Sequence, residues 1–127
     1  MAKRISLEVP GIGHTNPLPM GSKIGNMVYS SGIFGTDPTT GKVPPTAEAQ
    51  AEQAFANMKA LVEVAGVTTE NIIQVIIYMK DREQRSAVNA PWLKMFPDEH
   101  SRPARHALET NMPEGNFVQL MCVAVLD

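Results

Sequence analysis

The segment Ser101-Arg102-Pro103-Ala104-Arg105-His106-Ala107 sets a guanidinium where a β-rich run begins. An arginine projecting from a strand start presents a planar, always-charged fork suited to a carboxylate. A surface salt bridge to one of the 13 acidic residues is the plainer reading of the same side chain. The other chemistry-bearing residues are scattered. His14, His100 and His106 lie far apart in the chain, with no metal-ligand spacing, and each reads as a surface or loop histidine. Cys122 is the single cysteine and sits in the apolar run Leu120–Val125, which makes it a small buried hydrophobe and excludes an intrachain disulfide or an all-cysteine metal site. Met58, Met79, Met95 and Met121 fall at core spacings. Phosphate-binding glycine loops and a Gly-x-Ser-x-Gly elbow are absent, so neither a metal nor an organic cofactor is expected.

Composition removes further classes. The formal charge is −2 and the Lys and Arg residues are dispersed, which leaves no basic stripe for a phosphate backbone, so nucleic acid is not the expected partner. No apolar run approaches the roughly 18 residues of a membrane span. Met1-Ala2-Lys3-Arg4 leads into the mixed run Ile5–Val9 rather than a signal core, and the expected location is the cytoplasm. A chain of 127 residues is expected to form one domain, spanning residues 1–127.

The elements that must hold Arg105 can be read from two periods. Lys23–Gly32 carries the turn pair Gly25-Asn26 followed by a β-rich run, which predicts a hairpin. Gly35–Gly41 concentrates turn formers and predicts a surface loop. Thr46 is placed to cap a helix whose apolar residues Ala51, Ala54, Phe55, Met58, Leu61, Val62 and Ala65 keep a helical spacing, with Gly66 as its stop. Ile72–Met79 is nearly all apolar and β-branched, and predicts a central strand covered on both faces. A second helix is expected to include Pro91–Phe96, with proline in its first turn and Asn89 or Asp81 as its cap. Strands are predicted over Ala104–Glu109 and Phe117–Leu126, giving an α/β (α+β) domain. Both faces of the last strand are apolar apart from Gln119. A chain this short has no third layer to cover the second face, so neighbouring copies are expected to do so.

Several segments in order resemble the RidA/YjgF/L-PSP family of reactive-intermediate deaminases: Gly25-Asn26-Met27-Val28-Tyr29-Ser30-Ser31-Gly32, Asp37-Pro38-Thr39-Thr40-Gly41, Ala49-Gln50-Ala51 with the helix to Gly66, Val88-Asn89-Ala90, and Arg102-Pro103-Ala104-Arg105. The resemblance runs from about Pro17 to Ala124. It implies a chorismate-mutase-like fold with a mixed sheet and two helices on one face, and a homotrimer around a central β-barrel with its sites in the clefts between subunits. It also implies that Arg105 holds the carboxylate of an amino-acid-derived enamine or imine. Backbone around Ser31, Gly32 and Ile33 would shape the cleft, and the carbonyl of Ala107 would hold the attacking water. Asn89 would face the ligand, although as read above it could equally be a helix cap.

Three departures bear on activity. The family's acidic residue in the last strand, which prepares the attacking water, is Gln119 here. The Tyr after an early proline is Leu18, and the Cys two residues beyond the Arg is Ala107. An amide can orient water but cannot exchange its proton near neutral pH. The expected function is therefore hydrolysis of a carboxylate-bearing enamine or imine to a keto acid and ammonia, with His106, another polar group in the cleft, or an acidic group on the substrate itself replacing the missing acid. A specialised aminomuconate-type deaminase would fit such an altered site. The alternative is a non-catalytic trimer that binds small carboxylate metabolites. The ribonuclease activity implied by the family's older name is disfavoured by the lack of a basic run and of an acid–base histidine pair.

Overall fold

A computed structural model of the chain describes residues 3–127, and Met1 and Ala2, which begin the segment read against a signal core, lie outside the described residues. One seven-stranded mixed sheet carries two helices. Its strands are β1 (Ile5–Leu7), β2 (Gly21–Ile24), β3 (Met27–Ser30), β4 (Ile33–Phe34), β5 (Ile72–Met79), β6 (Ala104–Glu109) and β7 (Val118–Val125), and the helices are α1 (Ala47–Val64) and α2 (Arg85–Met95). The spatial order is β1-β2-β3-β7-β5-β6, with β4 also paired to β7. Only β5 and β6 run parallel, and the crossover between them is α2, as a parallel pair requires. The described residues include no helix long and apolar enough to cross a membrane.

The hairpin forms where the sequence places it. Gly25 and Asn26 bridge β2 and β3, with Gly25 at φ 58° and Asn26 at negative φ, which suits a turn with glycine first. Helix α1 starts at its Thr46 cap, whose hydroxyl accepts from the Ala49 N–H, and ends before Gly66 at φ 90°. Its apolar stripe is buried, but so are two amides that no hydropathy pattern reveals. Gln50 donates to the carbonyls of Pro44 and Gly115 and accepts from the Phe117 N–H, while Asn57 donates to the carbonyls of Phe34 and Thr36. These bonds pin both ends of the β4–β7 region to α1. Both buried amides are thereby satisfied in a place where an unpaired one would cost about 1–3 kcal/mol.

Two expectations need correction. β5 is hydrogen-bonded on both sides, but β7 is the strand nearest the middle of the sheet, and β5 is covered on one face only. Ile72, Val75, Ile77 and Met79 point into the core, whereas Ile73 is 53% exposed, because both helices lie on the same side and nothing among the described residues covers the other. The second helix starts six residues before Pro91, so proline lies in its middle, where the missing N–H leaves the Ala87 carbonyl without its usual helical partner. Asn89 is therefore inside the helix and caps nothing. Asp81 instead accepts from the Glu83 N–H and caps the short 3-10 turn Arg82–Gln84 that leads into α2. The interruption at Pro91 is tolerated because Val88, Trp92 and Phe96 anchor this helix in the core.

β7 alternates without exception, with Val118, Leu120, Cys122 and Ala124 buried and Gln119, Met121, Val123 and Val125 half-exposed. Cys122 lies under the helices, and burial pushes its thiol up to about 11 against an opposing hydrogen bond from Ser30. It should therefore stay a thiol at neutral pH and react with a disulfide reagent only on unfolding, so that labelling tracks the denaturation curve; rapid labelling of the native protein would contradict this burial.

Candidate functional site

The sheet register divides the site residues into two groups on opposite faces. Directly paired residues share a face, and Val75 is paired with Arg105 on β6 and with Cys122 on β7. Arg105 and Ala107 thus face the helices, together with Val75 and Ile77. Tyr78 is paired with Gln119 and with Leu108, so Gln119 faces the uncovered side. His106, paired with Ile76, also faces away from Arg105 and lies two strands from β7, roughly 10 Å across the sheet. Within one chain His106 cannot act beside the Arg105 guanidinium.

The arginine group is built by β6 and α2. The Arg105 Cζ lies 5.1 Å from the centroid of the Trp92 ring, a cation–π arrangement, and Trp92 packs edge-on against Phe96. The ion pairs within 4.0 Å among the described residues are Lys59–Glu63 and His100–Glu99, so Arg105 has no carboxylate partner and the salt-bridge reading of this residue fails. Partial burial, then the charge of Arg85, hold its guanidinium below the ordinary arginine value. It remains a cation at any physiological pH. Asn89 is exposed on α2 one turn before Trp92, on the same stripe of the helix. Ala107 lies two residues beyond Arg105 on an edge strand, where every second residue turns its backbone groups away from β5. Arg102, by contrast, is occupied: it donates to the carbonyls of Phe96 and Pro97 and secures the loop before β6.

The second group gathers where β3 passes into β4. The Ser31 hydroxyl donates to the Pro19 carbonyl and its N–H to the Met20 carbonyl, which brings the exposed Leu18 segment alongside. The Gln119 amide nitrogen sits so close to Gly32 that a Cβ there would displace the end of the Gln119 side chain. Gln119 thus lies against the Gly32 backbone. Ile33 turns its side chain into the core and offers a ligand only backbone. Trp92 and Arg85 escaped the sequence reading. The signal was their spacing of seven residues, which places both on one helical face but can be used only once α2 is known to begin at Arg85.

A mixed sheet with two helices on one face, a cation held on an aromatic ring, and a backbone-lined amide on the opposite face define a small α+β protein. The chain belongs to the RidA/YjgF/L-PSP family: residues 13–125 match the family model described as endoribonuclease L-PSP. Its fold is chorismate-mutase-like. A RutC family protein of Pasteurella multocida is 36% identical over 105 residues, covering 80% of this chain and 81% of that one. The 2-iminobutanoate/2-iminopropanoate deaminase of Escherichia coli K12 is 33% identical over 111 residues, covering 86% and 87%. Among solved structures, the E. coli YjgF gene product superposes with a TM-score of 0.88 at 29% identity over 97% of this chain and 99% of that one. E. coli TdcF with bound serine superposes with a TM-score of 0.89 at 25% identity over 97% and 99%.

Proposed function

We propose that this chain hydrolyses a carboxylate-bearing imine or enamine to the keto acid and ammonia, without a cofactor. The observation that carries this reading is the Arg105 guanidinium, stacked on Trp92 and free of any carboxylate. In the reaction an enamine first tautomerises to the imine; water then adds to the C=N carbon and one of its protons passes to nitrogen. The carbinolamine collapses to C=O as its hydroxyl proton passes to nitrogen, the C–N bond breaks and ammonia leaves. The imine carbon is already electrophilic, so fixing the substrate by its carboxylate and holding a water nearby supplies most of what is needed. Arg105 does the first. The Ala107 carbonyl and the Gln119 amide do the second, with Ser31, Gly32, the Ile33 backbone, Asn89 and Leu18 shaping the cleft.

Because Arg105 and Gln119 lie on opposite faces of one sheet, the reading requires the Gln119 group of one copy to meet the Arg105 group of another. This supports a homotrimer with sites between subunits, and the uncovered face bearing Tyr29, Ile73, Ile76, Met121 and Val123 is the apolar surface such an assembly would bury. Val123→Asp should dissociate or unfold the assembly, since an unpaired buried charge costs several kcal/mol. Sedimentation checks this, and a wild-type monomer at micromolar concentration would refute the two-copy site.

An aminomuconate-type specialisation fits the altered cleft. Gln119 also favours a second reading, a non-catalytic trimer that binds keto acids, because an amide supplies no proton. The two are separated by ammonia release from 2-aminoacrylate generated in place by a dehydratase. An enzyme accelerates release above the spontaneous rate in proportion to its concentration. A binder leaves the rate unchanged and still binds keto acids.

A further inference from the structure

Arg85 is the first residue of α2, and the helical period sets it on the stripe that carries Asn89 four residues on and Trp92 seven residues on. Trp92 is the ring beneath the Arg105 guanidinium, so two cationic side chains border one helical face. Neither has a carboxylate within 4.0 Å among the described residues, and the first turn of α2 holds no acidic residue. The placement is unfavourable, because two like charges brought together repel. The repulsion is felt at Arg105, whose guanidinium is held below its ordinary value in part by the Arg85 charge. Two guanidinium groups without carboxylate partners, bordering one helical face, are an arrangement that an anion larger than one carboxylate would relieve.

We infer that Arg85 is a specificity residue that selects imines and enamines bearing a second carboxylate, remote from the reacting carbon, which it holds while Arg105 holds the first. The inference rests on the reading that Arg105 binds a carboxylate. The test compares calorimetric binding of 2-oxobutanoate and 2-oxoglutarate, keto acids with one and two carboxylates. Wild type should bind 2-oxoglutarate about 5- to 50-fold more tightly, the range between an exposed and a well-formed charge-assisted contact. Arg85→Ala should bring that ratio close to one, and Arg85→Lys should restore part of it, since an ammonium keeps the charge but not the fork. A wild-type ratio of one or less, or a ratio that Arg85→Ala leaves unchanged, would overturn the inference. Arg105→Ala distinguishes the underlying reading: if it weakens neither keto acid, the carboxylate assignment to Arg105 has failed. If it weakens both while Arg85→Ala leaves the ratio intact, only the role of Arg85 is lost.

Discussion

Arg105→Ala should lose keto-acid binding by on the order of 2–5 kcal/mol while leaving fold and assembly intact, the size expected when one partner of a desolvated, charge-assisted pair is removed. Part of that loss is the penalty of an unpaired ligand carboxylate rather than the worth of the contact itself. The variant forfeits the cation–π contact with Trp92 as well, but that contact contributes only about 0.5–1 kcal/mol at a partly exposed site. Arg105→Lys should recover a fraction, because an ammonium cannot form the bidentate fork. Calorimetry with 2-oxobutanoate measures both. Unchanged affinity in the alanine variant would move the role to another cation. Arg102 is a poor substitute, since its guanidinium already serves the carbonyls of Phe96 and Pro97.

Gln119→Glu should raise imine hydrolysis by roughly 10²–10⁴-fold, the usual contribution of a positioned general acid–base group. The two side chains have the same shape, so the carboxylate would occupy the place of the amide against Gly32 without forcing the backbone apart. The measurement is the rate of ammonia release from small imines, with keto-acid binding and oligomeric state as controls. No gain in an otherwise intact variant would mean that Leu18 and Ala107 have reshaped the site beyond the loss of one proton donor. A wild-type rate already far above the spontaneous one would mean that another group moves the proton. His106 could serve only in a cleft formed with another copy, since it faces away from Arg105 of its own chain.

The strands were legible because their apolar runs have lengths that only strands suit. Ile72–Met79 and Ala104–Glu109 match β5 and β6 residue for residue. The start of α2 was not, because Arg82–Ser86 carries no apolar period and Pro91 imitates a first-turn proline. That one error concealed the most informative contact in the site, Arg105 on Trp92, which exists only because the crossover lays α2 over β6. Gln50 and Asn57 were hidden for another reason: an amide reads as surface in any hydropathy pattern, and its partners are backbone carbonyls contributed by distant loops. The family pattern named Arg105 and Gln119 together, but the spacing of two residues on different strands says nothing of their faces. Pairing register decides that, and it sets them apart.

The central claim, a site completed by two copies of the chain, is tested most directly by mixing subunits. Arg105→Ala destroys one group and Gln119→Leu the other, so each variant alone should be inactive in imine hydrolysis. Unfolded together in equal amounts and refolded, they should regain activity, because about one site in four would then combine an intact Arg105 from one chain with an intact Gln119 from another. A mixture that never exceeds its inactive parents, although the variants demonstrably co-assemble, would contradict the two-copy site.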